Sequence, residues 1–180
     1  MTTLYLVRHG ETKDNVAKIM QGQRQGELTP AGIEQMEELA VSLSEIHFDA
    51  IISSDLQRAY DSAQILSYQL NQPVQTTSLL RERDWGDFTG RFIPDLKGLL
   101  LPDNVEKMED LLNRAKSFLE WAKTNCQGKT ILAVGHGIIN IAIQAVHYGK
   151  LTRDIPRMSN AEYRILQLVE LIVLQGEGYT

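Results

Sequence analysis

Apolar positions along this chain fall into short unbroken runs that alternate with longer stretches of helical spacing. Leu4-Tyr5-Leu6-Val7 is a compact apolar run between polar neighbours. Such a run fits a strand buried on both faces of a sheet. Thr29-Pro30 marks a helix start, a capping hydroxyl followed by proline at the first helical position. Ile33, Met36, Leu39, Ala40 and Leu43 then form one apolar stripe. Ala50-Ile51-Ile52 predicts a short strand, and Ser53-Ser54-Asp55 supplies cap residues for a helix with Ala59, Ala63 and Leu66 on its inner face. Pro73-Val74-Gln75-Thr76 predicts a short edge strand. Asp103 to Lys123 predicts a long amphipathic helix through Val105, Met108, Leu112, Ala115, Leu119 and Ala122, whose charged outer face needs no functional account. Ile131-Leu132-Ala133-Val134 repeats the opening pattern. Ile138 to Val146 is apolar almost all round, the mark of a buried helix, and Gly149 stops it. Tyr163 to Val173 closes the chain with one or two strands.

Three stretches show no clean period. Lys13 to Gly26 predicts a loop, with Asn15, Gln21, Gly22 and Arg24 as candidate ligand contacts. Leu79 to Gly90 is dense in charges, aromatics and glycines, the composition of a functional loop. Arg91 to Leu101 is a connection whose three successive leucines are expected to pack onto the core. No repeat or linker interrupts the pattern, so one domain over residues 1–180 is expected. Strands alternating with helices make the fold class α/β, with a mostly parallel sheet.

Composition narrows the function. The net charge of −5 argues against nonspecific nucleic-acid binding, so any anion site must be a local cluster of cations. A single cysteine, Cys126, excludes an intramolecular disulfide framework and a cysteine-based zinc site. No run reaches the roughly 18 apolar residues of a membrane span, and no signal-peptide layout precedes Arg8. A cytoplasmic setting without membrane partners is expected.

The candidate chemistry sits at two strand ends. Leu4 to Val7 runs into Arg8-His9-Gly10, and Ile131 to Val134 runs into Gly135-His136-Gly137. In open α/β sheets ligands bind beyond the carboxyl ends of strands. Two such ends could therefore place both imidazoles in one crevice. Arg58 falls in the first turn of a predicted helix, where a cation opposes the macrodipole. An anion bound there by the guanidinium and free helix N–H groups would offset that cost; pairing with Asp55 or Asp61 in solvent is the alternative. Glu82, between Arg81 and Arg83, reads either as a solvated ion-pair member or as a catalytic acid.

Taken together, Arg8-His9-Gly10, Leu28-Thr29-Pro30-Ala31-Gly32, Ser53-Ser54-Asp55-Leu56-Gln57-Arg58-Ala59, Leu80-Arg81-Glu82 and Gly135-His136-Gly137 resemble the histidine phosphatase superfamily. The nearer likeness is to its phosphoglycerate-mutase-like branch, small phosphatase type, from Leu4 to about Leu168. The resemblance implies a three-layer α/β/α sandwich and a phosphatase that needs no cofactor and no metal. His9 would match the nucleophile that becomes phosphohistidine, Glu82 the proton donor to the leaving group, and Arg8, Arg58 and His136 the phosphate pocket. Gly10 would match the glycine beside the nucleophile. Asn15, Gln21 and Gly22 fall where relatives contact phosphate or substrate, and Gly137, beside the second histidine, is expected to bind phosphate with them.

Elementary chemistry agrees with those roles. Phosphoryl transfer spreads charge over three oxygens, so catalysis is mainly positioning and charge stabilisation, and arginines supply planar, permanently charged donors. A nucleophilic imidazole keeps one nitrogen unprotonated, and a hydrogen bond at the other fixes its tautomer. A carboxyl group that donates a proton needs a raised pKa, which Arg81 and Arg83 would lower unless they point away; the sequence leaves that open.

Two departures from the family bear on the outcome. Only about 50 residues separate Glu82 from His136. Mutases resembling this chain carry a longer, more basic insertion there, so hydrolysis is expected to win over phosphate return. Ile141 stands where relatives often have Arg or Lys, which argues against a second anionic group unless Arg24, Arg91 or Lys97 compensates. The expected substrate is a small phosphorylated metabolite: a sugar phosphate, a phosphoglycerate or a nucleoside-like phosphate such as alpha-ribazole phosphate. Alternatives are mutase activity, phosphohistidine-protein phosphatase activity, or a non-catalytic phospho-ligand binding protein, each as a monomer or homodimer.

Overall fold

The computed structural model describes residues 1–169, and residues 170–173 of the expected closing segment lie outside them. Five strands, β1 (Thr2–Arg8), β2 (Ala50–Ser54), β3 (Val74–Thr77), β4 (Thr130–Gly135) and β5 (Tyr163–Leu168), form one sheet in the order β3-β2-β4-β1-β5. All neighbours run parallel except β5, which pairs antiparallel with β1. The helices are α1 (Lys13–Ala17), α2 (Pro30–Ser42), α3 (Gln57–Leu70), α4 (Met108–Asn125) and α5 (Gly137–Tyr148).

Alternation along the strands builds two cores, one on each face. Leu4 and Leu6 of β1 join Ile131 and Ala133 of β4 against Leu111, Ala115, Phe118 and Ala122 of α4 and Ile139, Ala142 and Ile143 of α5. Val7, Leu132 and Val134 point the other way, onto Met36, Leu39 and Ala40 of α2 and Ala59, Ala63 and Leu66 of α3. The result is the expected three-layer sandwich. β1 leads into helices on one face and β4 into α5 on the other, so the chain diverges between these two adjacent strands and opens a crevice at their carboxyl ends.

Several expectations need correction. Lys13 to Gly26 is not all loop: Thr12 caps α1 by accepting from the Asn15 N–H at 3.1 Å while Asn15 Oδ1 returns the bond to the Thr12 N–H, also at 3.1 Å. Ile33 lies outside the buried stripe of α2, at 41 % exposure. The cap of α3 is Leu56, with no side-chain cap bond. Ser54 Oγ accepts from the Leu56 N–H at 3.2 Å, and Asp55 is turned to Arg81. α4 begins at Met108 rather than Asp103, with Glu109 and Asp110 favouring that first turn, and its buried stripe includes Leu111 and Phe118. Leu99, Leu100 and Leu101 do not pack onto the core; Leu100 is 93 % exposed.

Candidate active site

The register of β1 on β4 brings the histidines together. Arg8 lies opposite Gly135, so the next residue on each strand is His9 and His136. The two rings meet edge to face with centroids 5.1 Å apart, and both are buried. Gly10 is required by packing. A Cβ there would come within 2.5 Å of the Gly32 carbonyl oxygen at the start of α2.

His9 Nδ1 lies 2.7 Å from the Gly10 carbonyl oxygen. A carbonyl only accepts, so Nδ1 carries the proton and Nε2 keeps its lone pair. Burial, then the charges of Arg58 and Arg8, hold the His9 pKa well below 6.5. Its tautomer is therefore that of a nucleophile. The Gly10 N–H is itself held at 3.1 Å by Ser62 Oγ of α3.

Burial lowers the Arg8 pKa and pushes that of Arg58 down to about 10, so both remain charged near neutrality. Each is held in part by backbone carbonyls. Arg8 Nη1 donates to the Met158 carbonyl at 2.6 Å. Arg58 donates through Nη2 to the Gly22 carbonyl at 2.8 Å and through Nη1 to the Arg24 carbonyl, which clasps the loop after α1. Gly22 adopts φ +51, and a Cβ there would lie 2.8 Å from Thr89 Oγ1. The pairing of Arg58 with Asp55 or Asp61 does not occur: Asp55 takes Arg81 and Asp61 takes Gln57. Nor does the start of α3 offer free N–H groups, since those of Gln57 and Arg58 donate to Gln25. Arg58 retains Nε, and Arg8 retains Nε and Nη2, without a partner among the described residues. Among the described residues the buried side-chain N and O atoms without a partner are Arg8 Nε, Arg58 Nε, His136 Nδ1 and Asn140 Oδ1. Three of these four are nitrogens of the expected phosphate pocket.

Glu82 reaches the same place from the loop after β3. Its carboxyl oxygens accept from the N–H groups of Ile138 and Ile139 at 3.1 Å, at the start of α5, and from Arg83 N–H at 2.9 Å. Arg81 turns to Asp55, at 2.6 and 2.7 Å, and Arg83 to the Glu106 carbonyl, at 2.9 Å. The sequence left the direction of these two cations open; in the fold both side chains take other partners. α4 contributes from the edge of its buried stripe, beside Leu111 and Phe118. Its Arg114 donates to the carbonyls of Leu79, Arg81 and Glu82 and pairs with Glu106, holding the Glu82 segment in place.

A cavity of about 270 Å³ joins these groups. Arg8, His9, Asn15, Gln21, Gly22, Arg58, Glu82 and Gly137 line it, and His136 lies behind that wall, fully buried. Asn15 and Gln21 each have the carbonyl oxygen engaged, Asn15 Oδ1 by Asn160 at 3.2 Å and Gln21 Oε1 by Thr12 at 2.9 Å. The rest of the wall is mainly apolar, with Ile19, Met20, Trp85, Ile93, Ile138 and Ile141. Arg24, Arg91 and Lys97 do not line it, whereas Arg157 does. Sequence reasoning missed Arg157, Met158 and Asn160 because 150–162 has no period and no motif; the only available signal was a cation and an amide shortly before a final strand.

A model of the histidine phosphatase superfamily (branch 1) matches residues 4–170. The chain belongs to that superfamily. It is 32 % identical over 166 residues to an uncharacterised phosphatase, PhoE, of Bacillus subtilis, covering 89 % of this chain and 86 % of that one. It is 36 % identical over 152 residues to a probable phosphoglycerate mutase, GpmB, of Proteus mirabilis, covering 77 % and 71 %. The solved mycobacterial glucosyl-3-phosphoglycerate phosphatase superposes with a TM-score of 0.84 at 26 % identity, over 92 % of this chain and 90 % of that one. The family's phosphoglycerate-mutase-like fold and its phosphatase class both apply to this chain.

Proposed function

We propose that this histidine phosphatase hydrolyses a small phosphomonoester through a phosphohistidine on His9, with Glu82 as the proton donor. The observation that carries the reading is the trio of buried, unpartnered nitrogens, Arg8 Nε, Arg58 Nε and His136 Nδ1, gathered about a histidine whose Nε2 lone pair is preserved. N–H groups that find no acceptor in the protein are costly unless a ligand supplies one, and a phosphoryl group has three oxygens to offer.

His9 Nε2 attacks phosphorus, the ester P–O bond breaks, and the leaving alkoxide takes a proton from Glu82. Water then gives its proton to the Glu82 carboxylate as its oxygen attacks phosphorus. The N–P bond breaks, inorganic phosphate leaves, and both residues return to their starting states. The three N–H groups stabilise the charge on the equatorial oxygens throughout. Asn15, Gln21, Gly22 and Gly137 border the bound group. The cavity suits a metabolite-sized ester, and its apolar wall at Ile141 supports hydrolysis over return of phosphate to a second anionic group.

One observation favours the mutase reading. Arg157 lines the cavity and makes no hydrogen bond or ion pair among the described residues, so it could meet a second phosphate or a carboxylate. A single experiment separates the readings. Protein incubated with labelled phosphoglycerate is followed for acid-labile phosphoprotein and free phosphate. Label passing to water without a bisphosphate primer is the expected result; label returning only to an organic acceptor would overturn the hydrolase reading, and absence of any phosphoprotein with this ester and with p-nitrophenyl phosphate would overturn the mechanism.

A further inference from the structure

His136 is fully buried and, among the described residues, its ring is bonded to one side chain, Ser54, whose Oγ lies 2.8 Å from Nε2. The topology makes this contact. β2 lies beside β4 with Ser53 opposite Val134, so Ser54, at the carboxyl end of β2, comes to rest beside the residues that follow β4. Ser54 is itself fully buried, and its Oγ also accepts from the Leu56 N–H at 3.2 Å.

We propose that Ser54 is a positioning residue that fixes His136 as the Nδ1–H tautomer, which aims a donor at the phosphoryl group. A hydroxyl has one hydrogen and two acceptor sites. The Leu56 N–H fills one site. If His136 carried its proton on Nε2, that proton would fill the other, and the Ser54 hydrogen would have no acceptor among the described residues. His136 Nδ1 would then be a bare buried lone pair, unpartnered like the Arg8 and Arg58 Nε groups. That arrangement leaves two buried groups unsatisfied. With the proton on Nδ1, the hydroxyl donates to Nε2 and only the Nδ1–H is left over, available to a phosphoryl oxygen. Burial, then Arg58, His9, Arg8 and Arg114, hold the His136 pKa well below 6.5, so the ring has a single proton and its placement decides between donor and acceptor. The inference takes the phosphate pocket from the proposed function and adds the group that sets its third donor.

The test begins with the unaltered protein. Long-range proton–nitrogen correlation on ¹⁵N-histidine-labelled protein should show His136 with a protonated Nδ1 and an unprotonated Nε2. The opposite pattern overturns the proposal, whatever the activity. Ser54→Ala should then lose roughly 10- to 100-fold in kcat/KM with p-nitrophenyl phosphate, the range seen when the partner orienting a functional histidine is removed. The same substitution placed on a His136→Ala background should cost nothing further. Equal losses in both backgrounds would mean that Ser54 acts through packing and would overturn the proposal. Should Ser54→Ala fold poorly, Ser54→Thr keeps the hydroxyl and should keep the Nδ1–H signature, and loss of that signature in a folded Thr variant counts against the proposal. Failure of the wild-type protein to release phosphate from any ester would strike the proposed function instead, while the nitrogen spectrum still judges Ser54.

Discussion

His9 and His136 each follow an apolar strand and precede a glycine, yet each ring is held by a different nitrogen. His9 is held through Nδ1 by a backbone carbonyl one residue away, a partner that can only accept. His136 is held through Nε2 by a side-chain hydroxyl 82 residues away, a partner able to give or to take. A local backbone partner leaves Nε2 as a lone pair, suited to attack; a hydroxyl from the neighbouring strand, in the proposed tautomer, leaves Nδ1 to donate. Equivalent positions on paired strands thus acquire different chemistry from what stands behind each ring. The shared motif decides where the rings sit, and the second partner decides what each does.

The largest expected effect breaks that comparison outright. His9→Ala should abolish acid-labile phosphoprotein and lower turnover by roughly 10⁴-fold or more, whereas His136→Gln should slow the reaction and still form the phosphoprotein. Label that survives in His9→Ala and vanishes in His136→Gln would reverse the two roles. Next in size, Glu82→Gln should lower kcat/KM by about 10²- to 10⁴-fold for an ester with a poorly acidic alcohol. The loss should be smaller for p-nitrophenyl phosphate, whose leaving group needs no proton. An equal loss with both substrates would assign Glu82 to holding the start of α5 rather than to proton donation.

The smallest effect concerns pH. Both histidines have pKa values well below 6.5 in the folded protein. An unfolded chain therefore binds protons at these sites below about pH 6.5 while the native protein does not. The stability due to the neutral rings is fully present above that pH and is lost as pH falls towards the folded values. The midpoint of thermal unfolding should drop between pH 7.5 and 5.5, and His9→Ala and His136→Gln should each make the slope shallower. A slope unchanged in both variants would show that the rings do not stay neutral. The profile of kcat/KM, which reports the free enzyme, should show no acid limb at 6.5.

Much of the fold was legible because buried strands and amphipathic helices leave period-two and period-3.6 marks wherever one face must be apolar. Where exposure is imposed by neighbours the marks misled. The leucines at 99–101 look like core in the sequence and lie on the surface, and Ile33 sits on the helical stripe by spacing but outside the contact with the sheet. The site divides the same way. Arg8, His9, Arg58, Glu82 and His136 stood out because chemistry-bearing residues interrupt or abut regular elements. Ser54 read as a cap and Arg114 was not singled out, since their roles depend on strand order and on the packing of α4 against the Glu82 loop. Arg157 left no more than a lone cation ahead of β5.

The sequence by itself determined the order of elements, the two strand-terminal histidines and the cations and carboxylate available to them, because these follow from local periodicity and residue chemistry. Only the tertiary structure decided which nitrogen of each ring is held, that Arg58 spends its Nη groups on the loop at 22–25, and that Glu82 caps α5. Those outcomes hang on hydrogen bonds between residues tens of positions apart. Such bonds are fixed by the register of β1 and β2 on β4, and register is a property of the assembled sheet.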